Sequence, residues 1–533
     1  MRYFDLHLHP GLKTLFLPQD DNQISAWHNI GAATFLVGDI LSSQSSLQQL
    51  TVNKNIPLVC LTLHPPEAGM LDQFVIKLAA GSLWSRLLNK DRLDLLINGT
   101  DGYQDVFYEE MSNLMAPPKQ ADNISQDVRV KFLRSWQDFD ASESGTVHVV
   151  FNIEGGHALY PQGTMGDQIA DPQEALANLE RFLALGFLTL YLTPSHLTPN
   201  AFINHAYGNK ILTKGPLLPR GFGITSAGLE LIKFAYSSGL IVDVKHMSLF
   251  SRLQFYRIHD QHFPDKPIIA SHAGLTGCFA FGEKGDNFLE WSPNQQTHGD
   301  YVQINGVNNR GLITGTSFYP LSINLFDEDV AAILKSGGLI GLSMDVRILG
   351  GKDNDEATVS DYLSAKEYQL LVAGEDAAMV QAATLADALW EGAVVTAPPI
   401  GDMPELPDFN IVILEELAGI FKPGLAHSTG PNANAHARLL ANHLLQIHFV
   451  ADISGLPLPW DNVCIGSDFD GLIEAVDCCK DITALANMAG LLEQELTAGA
   501  AELKVDLGLE PSRIIEQFCY TNAFNFFNKH FKT

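Results

Sequence analysis

Short apolar runs, each followed by polar residues and then by an amphipathic stretch, recur along this chain. The clearest unit runs from Thr225 to His246. Ser226 is the expected N-cap, and Gly228, Leu231, Ile232 and Ala235 fall at i, i+3, i+4 and i+7, one face of a helix. Gly239 is placed to stop that helix, and LIVDVKH reads as the buried strand that follows. The same pattern predicts strands at Tyr3–His9, Val147–Glu154, Phe187–Thr193, Leu240–His246, Pro267–His272, Leu339–Met344 and Val463–Asp468. A further strand falls either at Ala32–Gly38 or at Leu58–His64. Strands alternating with helices over this length mean a parallel sheet, either closed into a barrel or doubly wound.

The spacing is uneven. Two long intervals, about 85–146 and about 350–440, contain helical patterns such as DYLSAKEYQLLVAG and HARLLANHLLQIHFVADI. The second also holds the Pro-rich VVTAPPIGDMPELPDF, which reads as an irregular surface loop. Both are expected to be insertions on one domain spanning 1–533; internal repeats and heptads are lacking.

Composition narrows the class. Hydrophobic residues make up 46% of the 533 and charged ones 18%, with mean hydropathy +0.05, as in a chain that buries a sizeable core. No apolar run reaches the roughly 20 residues of a membrane span. The opening MRYFDLHLHP lacks the apolar core of a secretion signal and already reads as strand, so a cytoplasmic protein is the default expectation. With 33 basic against 61 acidic residues the net charge is −28, which argues against nucleic acid or an anionic membrane as partner and leaves a small-molecule substrate. Cys60, Cys278, Cys464, Cys478, Cys479 and Cys519 show no CxxC spacing and read as free buried thiols.

The polar residues that end the strands carry the chemistry. In FDLHLHP, His7 and His9 are two apart, so both imidazoles point to one side of a strand and can share an ion. VVFNIEGG leaves Glu154 at the end of an apolar run, a costly place for a carboxylate unless it is paired or ligated. LIVDVKH ends at His246, PIIASH at His272, and VCIGSDFDG carries Asp468. His7, His9, Glu154, His246, His272 and Asp468 thus form a set of potential ligands on successive strand ends, enough for two ions that share Glu154. No Cys takes part, so the donors suit Zn²⁺ first, with Mn²⁺, Fe²⁺ or Co²⁺ as alternatives.

Those pieces, together with LYLTPSH, GITSAGLELIKFAYSSGLIVDVKHMS and TNAFNFF, resemble the membrane dipeptidase family of metallopeptidases within the amidohydrolase superfamily. The resemblance implies a (β/α)8 TIM barrel with long insertions, two zinc ions and a homodimer. It implies that His7, His9 and Glu154 hold the first ion and Glu154, His246 and His272 the second. It further implies that Asp468 handles the proton and that His196 polarises the substrate. Two departures stand out. The family has Asp where this chain has His9, a swap that keeps a ligand. The family arginine that holds the substrate carboxylate, just before an Asn, matches Ile323 before Asn324, and Ile cannot bind a carboxylate. Arg310, in the preceding NNRG loop, is the nearby substitute, so Arg310 and Asn324 are the candidate substrate-binding residues.

The resulting expectation is hydrolysis of a dipeptide or related small amide by water acidified between two cations, with Asp468 taking the proton and returning it to the leaving amine. A non-peptide amide, a lactone or a phosphoester is the alternative substrate class. A noncatalytic metal-binding relative would lack the proton carrier or the polarising histidine, yet Asp468 and His196 are both present. Lys245 raises one further superfamily option, a carbamylated lysine bridging the metals. As the strand neighbour of His246 it is expected to face the other way.

Overall fold

The computed structural model describes residues 1–16, 25–29, 42–71, 90–97, 102–119, 124, 128–160, 172–208, 217–281, 296–306, 309–350, 359–396 and 432–531. Eight parallel strands close on themselves: β1 (Phe4–Leu8), β2 (Leu58–Leu63), β3 (Thr146–Glu154), β4 (Thr189–Thr193), β5 (Ile241–Asp243), β6 (Ile268–Ala273), β7 (Leu339–Leu342) and β8 (Val463–Ile465). Each pairs with its neighbours in chain order. Asp5 lies opposite Ile465 where β8 returns to β1, and Leu58 lies opposite His148 between β2 and β3. This is a (β/α)8 barrel. The strand left open between two positions is Leu58–Leu63; Ala32–Gly38 lies outside the described residues.

Helices fill the crossovers, among them Tyr103–Met115, Pro172–Leu183, Ser226–Ser237, Leu249–His262, Asp327–Lys335 and Ala433–Ile453. The helix after β4 shows why the local pattern was readable. Gly228, Leu231, Ile232 and Ala235 are all buried, and a side chain at Gly228 would run into the Phe202 carbonyl at 2.1 Å. The cap differs from expectation by one residue. Thr225, not Ser226, accepts the Gly228 N–H, and the Ser226 hydroxyl instead donates to the Ala393 carbonyl.

The barrel's two ends contrast. Phe4, Leu58, Val150, Leu190, Ile241, Ile269, Leu339 and Cys464, one from every strand, belong to an apolar cluster that Trp136, Phe526 and Phe527 complete. The C-terminal helix Asn522–Phe531 thereby closes that end, and Asn522 ties it down by donating to the Val463 carbonyl at 2.7 Å. All six cysteines are buried.

The first long interval contributes helices Lys90–Ile97 and Tyr103–Met115 and a strand, Arg129–Phe132, that runs beside the start of β3 before β4 takes over at Phe151. DYLSAKEYQLLVAG, read as helical, begins as strand. Val359–Ser364 joins Gln296–His298 and Tyr301–Gly306 in an antiparallel sheet, and the helix begins at Ala365. Most of the Pro-rich stretch lies outside the described residues. Among the described residues no helix is long and apolar enough to cross a membrane.

Candidate metal centre

The polar strand ends converge at the end of the barrel opposite the apolar plug. Glu154, the last residue of β3, is the hub. Its Oε1 lies 3.4 Å from His7 Nε2, 3.3 Å from His246 Nε2 and 3.5 Å from His272 Nε2, while Oε2 lies 3.4 Å from His9 Nε2. Asp468 Oδ1 is 3.3 Å from His9 Nε2 and 4.0 Å from His7 Nε2. The nitrogens come in pairs, His7 with His9 at 3.0 Å and His246 with His272 at 3.2 Å. All six residues expected to meet do meet.

Local backbone explains how. Glu154 is followed by Gly155 at φ +87°, a conformation that L side chains avoid, which swings the chain across the barrel mouth. His246 and Asp468 adopt φ of +66° and +65° despite their side chains. Such strain costs on the order of 1–3 kcal/mol each and persists where surrounding structure dictates the side chain's direction. The premise of the expectation for Lys245, strand alternation with His246, does not hold. β5 ends at Asp243, so strand alternation no longer governs residues 244–246. Lys245 is buried, and burial lowers its ammonium to about 8, with Asp468, Asp243 and Glu154 close enough to resist.

The hydrogen bonds behind the imidazoles set their tautomers. Tyr191 spends its single hydroxyl proton on the Leu6 carbonyl at 2.9 Å, so toward His7 Nδ1, 2.8 Å away, it can only accept. Ser271 likewise donates to Asp243 at 2.6 Å and accepts from His272 Nδ1 at 2.8 Å. Both rings therefore carry their proton on Nδ1 and turn a bare Nε2 toward Glu154. Burial pushes His9, His246 and His272 well below the usual histidine range, keeping them neutral, as metal ligands must be. Burial would raise the Glu154 carboxyl, but the imidazoles of His7, His196 and His246 around it hold it well below the ordinary carboxylate value. Asp468 goes the other way, pushed well up by burial and by the Glu154 and Asp345 carboxylates.

This donor set fits divalent cations. His7, His9 and Asp468 present ligand atoms within 4.8 Å of one another, as do His7, Glu154 and His272. Glu154 Oε1 is buried without a hydrogen-bond partner, and so are His9 Nδ1 and His246 Nδ1. Neutral imidazole nitrogens with carboxylate oxygens and no thiolate suit zinc or a neighbouring first-row metal.

A second cluster adjoins the first and was missed from the sequence. His64, directly after β2, places Nδ1 3.7 Å from Glu154 Oε2 and 3.2 Å from the Glu154 carbonyl. Its Nε2 is 3.5 Å from Glu67 Oε2. Against the cost of burial, Glu67, Glu154 and Glu110 raise His64 to about 9. Glu110, buried and accepting the His64 backbone N–H at 2.7 Å, is raised by burial to about 8. His196 Nδ1 lies 2.6 Å from Glu67 Oε1, and its Nε2 is 3.8 Å from Glu154 Oε2. The strand-then-His signal that singled out His246 and His272 was present in LTLH too.

Among the described residues, neither substrate-binding candidate forms a hydrogen bond or ion pair with a member of this centre. Arg310 is exposed on the hairpin Asn309–Arg310/Ser317–Phe318 and, among the described residues, forms no ion pair with a member of the centre. Asn324 is buried and spends its amide protons on the carbonyls of Tyr319 and Ile348, both at 2.9 Å. Ile323 sits in a small apolar cluster with Ala206, Tyr319 and Leu321, packed against Leu197, the residue after His196. Arg347 is a cation the sequence did not flag. It lies near enough to Asp468 to oppose that group's rise, and Asp345 grips it from two sides.

No family model and no curated protein sequence matches the chain. Among solved structures it is similar to a metallo peptidase from Rhodobacter sphaeroides liganded with a phosphinate mimic of the dipeptide L-Ala-D-Ala, at 13% identity and TM-score 0.49, over 99% of each chain. It is similar to the probable dipeptidase PvdM from Pseudomonas aeruginosa at 15% identity and TM-score 0.46, over 100% of this chain and 96% of that one. An amidohydrolase from Pseudomonas aeruginosa is similar at 11% identity and TM-score 0.42, over 100% and 97%.

Proposed function

We propose that this protein is a binuclear metal-dependent hydrolase of small amides, with dipeptides the first substrates to test. The observation that carries the reading is Glu154, one buried carboxylate that lies against both pairs of imidazole nitrogens, Oε1 near His7, His246 and His272 and Oε2 near His9. His7, His9, Glu154 and Asp468 would hold one cation, and Glu154, His246 and His272 the other. Bound there, two divalent cations would supply Lewis-acid polarisation of a carbonyl and acidify water toward neutral pH.

The chain's own residues supply the rest. Tyr191 and Ser271 keep the Nε2 lone pairs of His7 and His272 aimed inward, so no tautomer change is needed for ligation. Asp468 stands at the rim, with 14% of its side chain accessible, where a proton can be taken from water and handed to a departing amine. His196 faces the cleft through Nε2 and would lie against the substrate carbonyl.

One observation favours a second substrate class. The wall beside His196 is apolar at Ile323 and Leu197, and Arg347, the cation near Asp468, is already committed to Asp345. A neutral amide, a lactone or another ester fits such a wall better than a free carboxylate does.

The test is turnover of a panel of dipeptides, blocked dipeptides, lactones and phosphoesters by zinc-loaded protein. Asp468→Asn is expected to keep its metal while losing about 10²–10⁴-fold in kcat. Full turnover by that variant would refute the proton role. Absence of turnover across the panel in metal-loaded wild type would refute the hydrolase reading.

A further inference from the structure

We propose that Glu67 is a positioning residue that sets the tautomer and direction of His196, holding the ring proton on Nδ1 and aiming Nε2 at Glu154 and the cleft. The kinetic part of this rests on the hydrolase reading above; the tautomer does not.

Glu67 reaches the centre from the short loop after β2, where Pro65 and Pro66 stiffen the chain and the Glu67 carbonyl starts the turn Ala68–Leu71. The side chain is fully buried. One oxygen, Oε1, accepts from His196 Nδ1 at 2.6 Å and from the Leu197 backbone N–H at 3.1 Å. Ring and backbone of the same turn are therefore gripped by a single atom, which removes rotation of the imidazole as well as its choice of proton site. Oε2 makes no hydrogen bond and faces His64 Nε2 at 3.5 Å, while His64 Nδ1 reaches the Glu154 carbonyl. Glu67 is thus strung between two imidazoles that both touch the hub residue.

Ionisation is consistent with this geometry. Burial would raise the carboxyl, but the neighbouring rings of His196 and His157 hold it well below its ordinary range, so it has no proton to give. A ring whose Nδ1–H is committed to a carboxylate presents a lone pair at Nε2. It becomes a donor there only by taking up a second proton, and the carboxylate behind it stabilises that cation. Glu67 therefore decides whether His196 can stabilise negative charge that develops on a substrate oxygen. A carboxylate behind an imidazole changes activity by about 10–100-fold when such outer partners are removed elsewhere.

The experiment uses zinc-loaded full-length protein labelled with ¹⁵N-histidine, with long-range ¹H–¹⁵N spectra and His196→Asn to assign the signal. The His196 proton is expected on Nδ1 in wild type and in Glu67→Gln, whose amide oxygen can still accept. In Glu67→Leu it is expected to shift wholly or partly to Nε2. On whichever substrate is turned over, Glu67→Leu should lose about 10–100-fold in kcat, with KM and metal content unchanged, and Glu67→Gln, which keeps the acceptor but not the charge, should lose less. A wild-type ring protonated on Nε2 alone would overturn the proposal, as would wild-type kcat in Glu67→Leu or loss of metal from Glu67→Gln. If Glu67→Leu does not fold, or no substrate is turned over, the wild-type spectrum decides. Failure of the hydrolase reading shows separately, as metal-loaded protein without turnover.

Discussion

At one end of the barrel, Phe4, Leu58, Ile241 and Leu339, each the first residue of its strand, pack against Phe526 and Phe527 of the C-terminal helix. At the other end the barrel strands give way to His9, His64, His246 and Asp468, in a polar pocket with left-handed backbone at two of those four residues. The plugged end gains stability from every group it buries. The mouth buries carboxylates and imidazoles that raise the cost of folding unless something pairs with them. One set of strands thus carries stability at its beginnings and chemistry at its ends.

The contrast is broken most severely at the hub. Glu154→Gln is expected to abolish turnover and release bound metal while leaving the circular dichroism spectrum unchanged, because β3 stays anchored by its apolar residues. A Glu154→Gln protein that kept both would show that the two nitrogen pairs do not depend on a shared carboxylate.

At the opposite end the signs reverse. Phe527 is fully buried against Phe4 and Trp136, so Phe527→Ala should cost about 3–5 kcal/mol in a denaturant titration. The kcat of the surviving folded protein should equal that of wild type. A large drop in kcat without a drop in stability would mean that the plug reaches the chemistry.

The smallest effect concerns polar groups flanking the mouth. Glu367 accepts from the Gly223 N–H at 2.7 Å and the Ser248 hydroxyl at 3.0 Å, and burial raises it from 4.5 to about 7. In the folded chain it keeps a proton that the unfolded chain has lost. Its contribution to stability is complete below pH 4.5 and fades as pH rises to about 7. Glu367→Gln should therefore match wild type at acid pH and exceed it by about 1–3 kcal/mol at pH 8, measured by denaturant titration at both values. Equal stability at pH 8 would place its ionisation outside this window.

Reading the sequence recovered the mouth better than its surroundings, for a physical reason. His7, His9, Glu154, His246, His272 and Asp468 each end an apolar run, so strand periodicity alone exposes them. Tyr191 and Ser271 lie inside their strands, and only the register between strands brings Tyr191 to His7 and Ser271 to Asp243. Glu67 sits in a loop behind two prolines, where nothing periodic marks it. Asn324 looked chemical because it follows Ile323, yet its amide serves two backbone carbonyls. The plug was legible only as the aromatic run TNAFNFF, whose partners are hundreds of residues away.

Whether the barrel mouth holds two cations is read from elemental analysis of the purified full-length protein. After reconstitution with zinc and removal of excess metal, two equivalents per chain are expected, lost to a strong chelator and regained on adding zinc. A chain that retains no zinc after reconstitution would contradict the account.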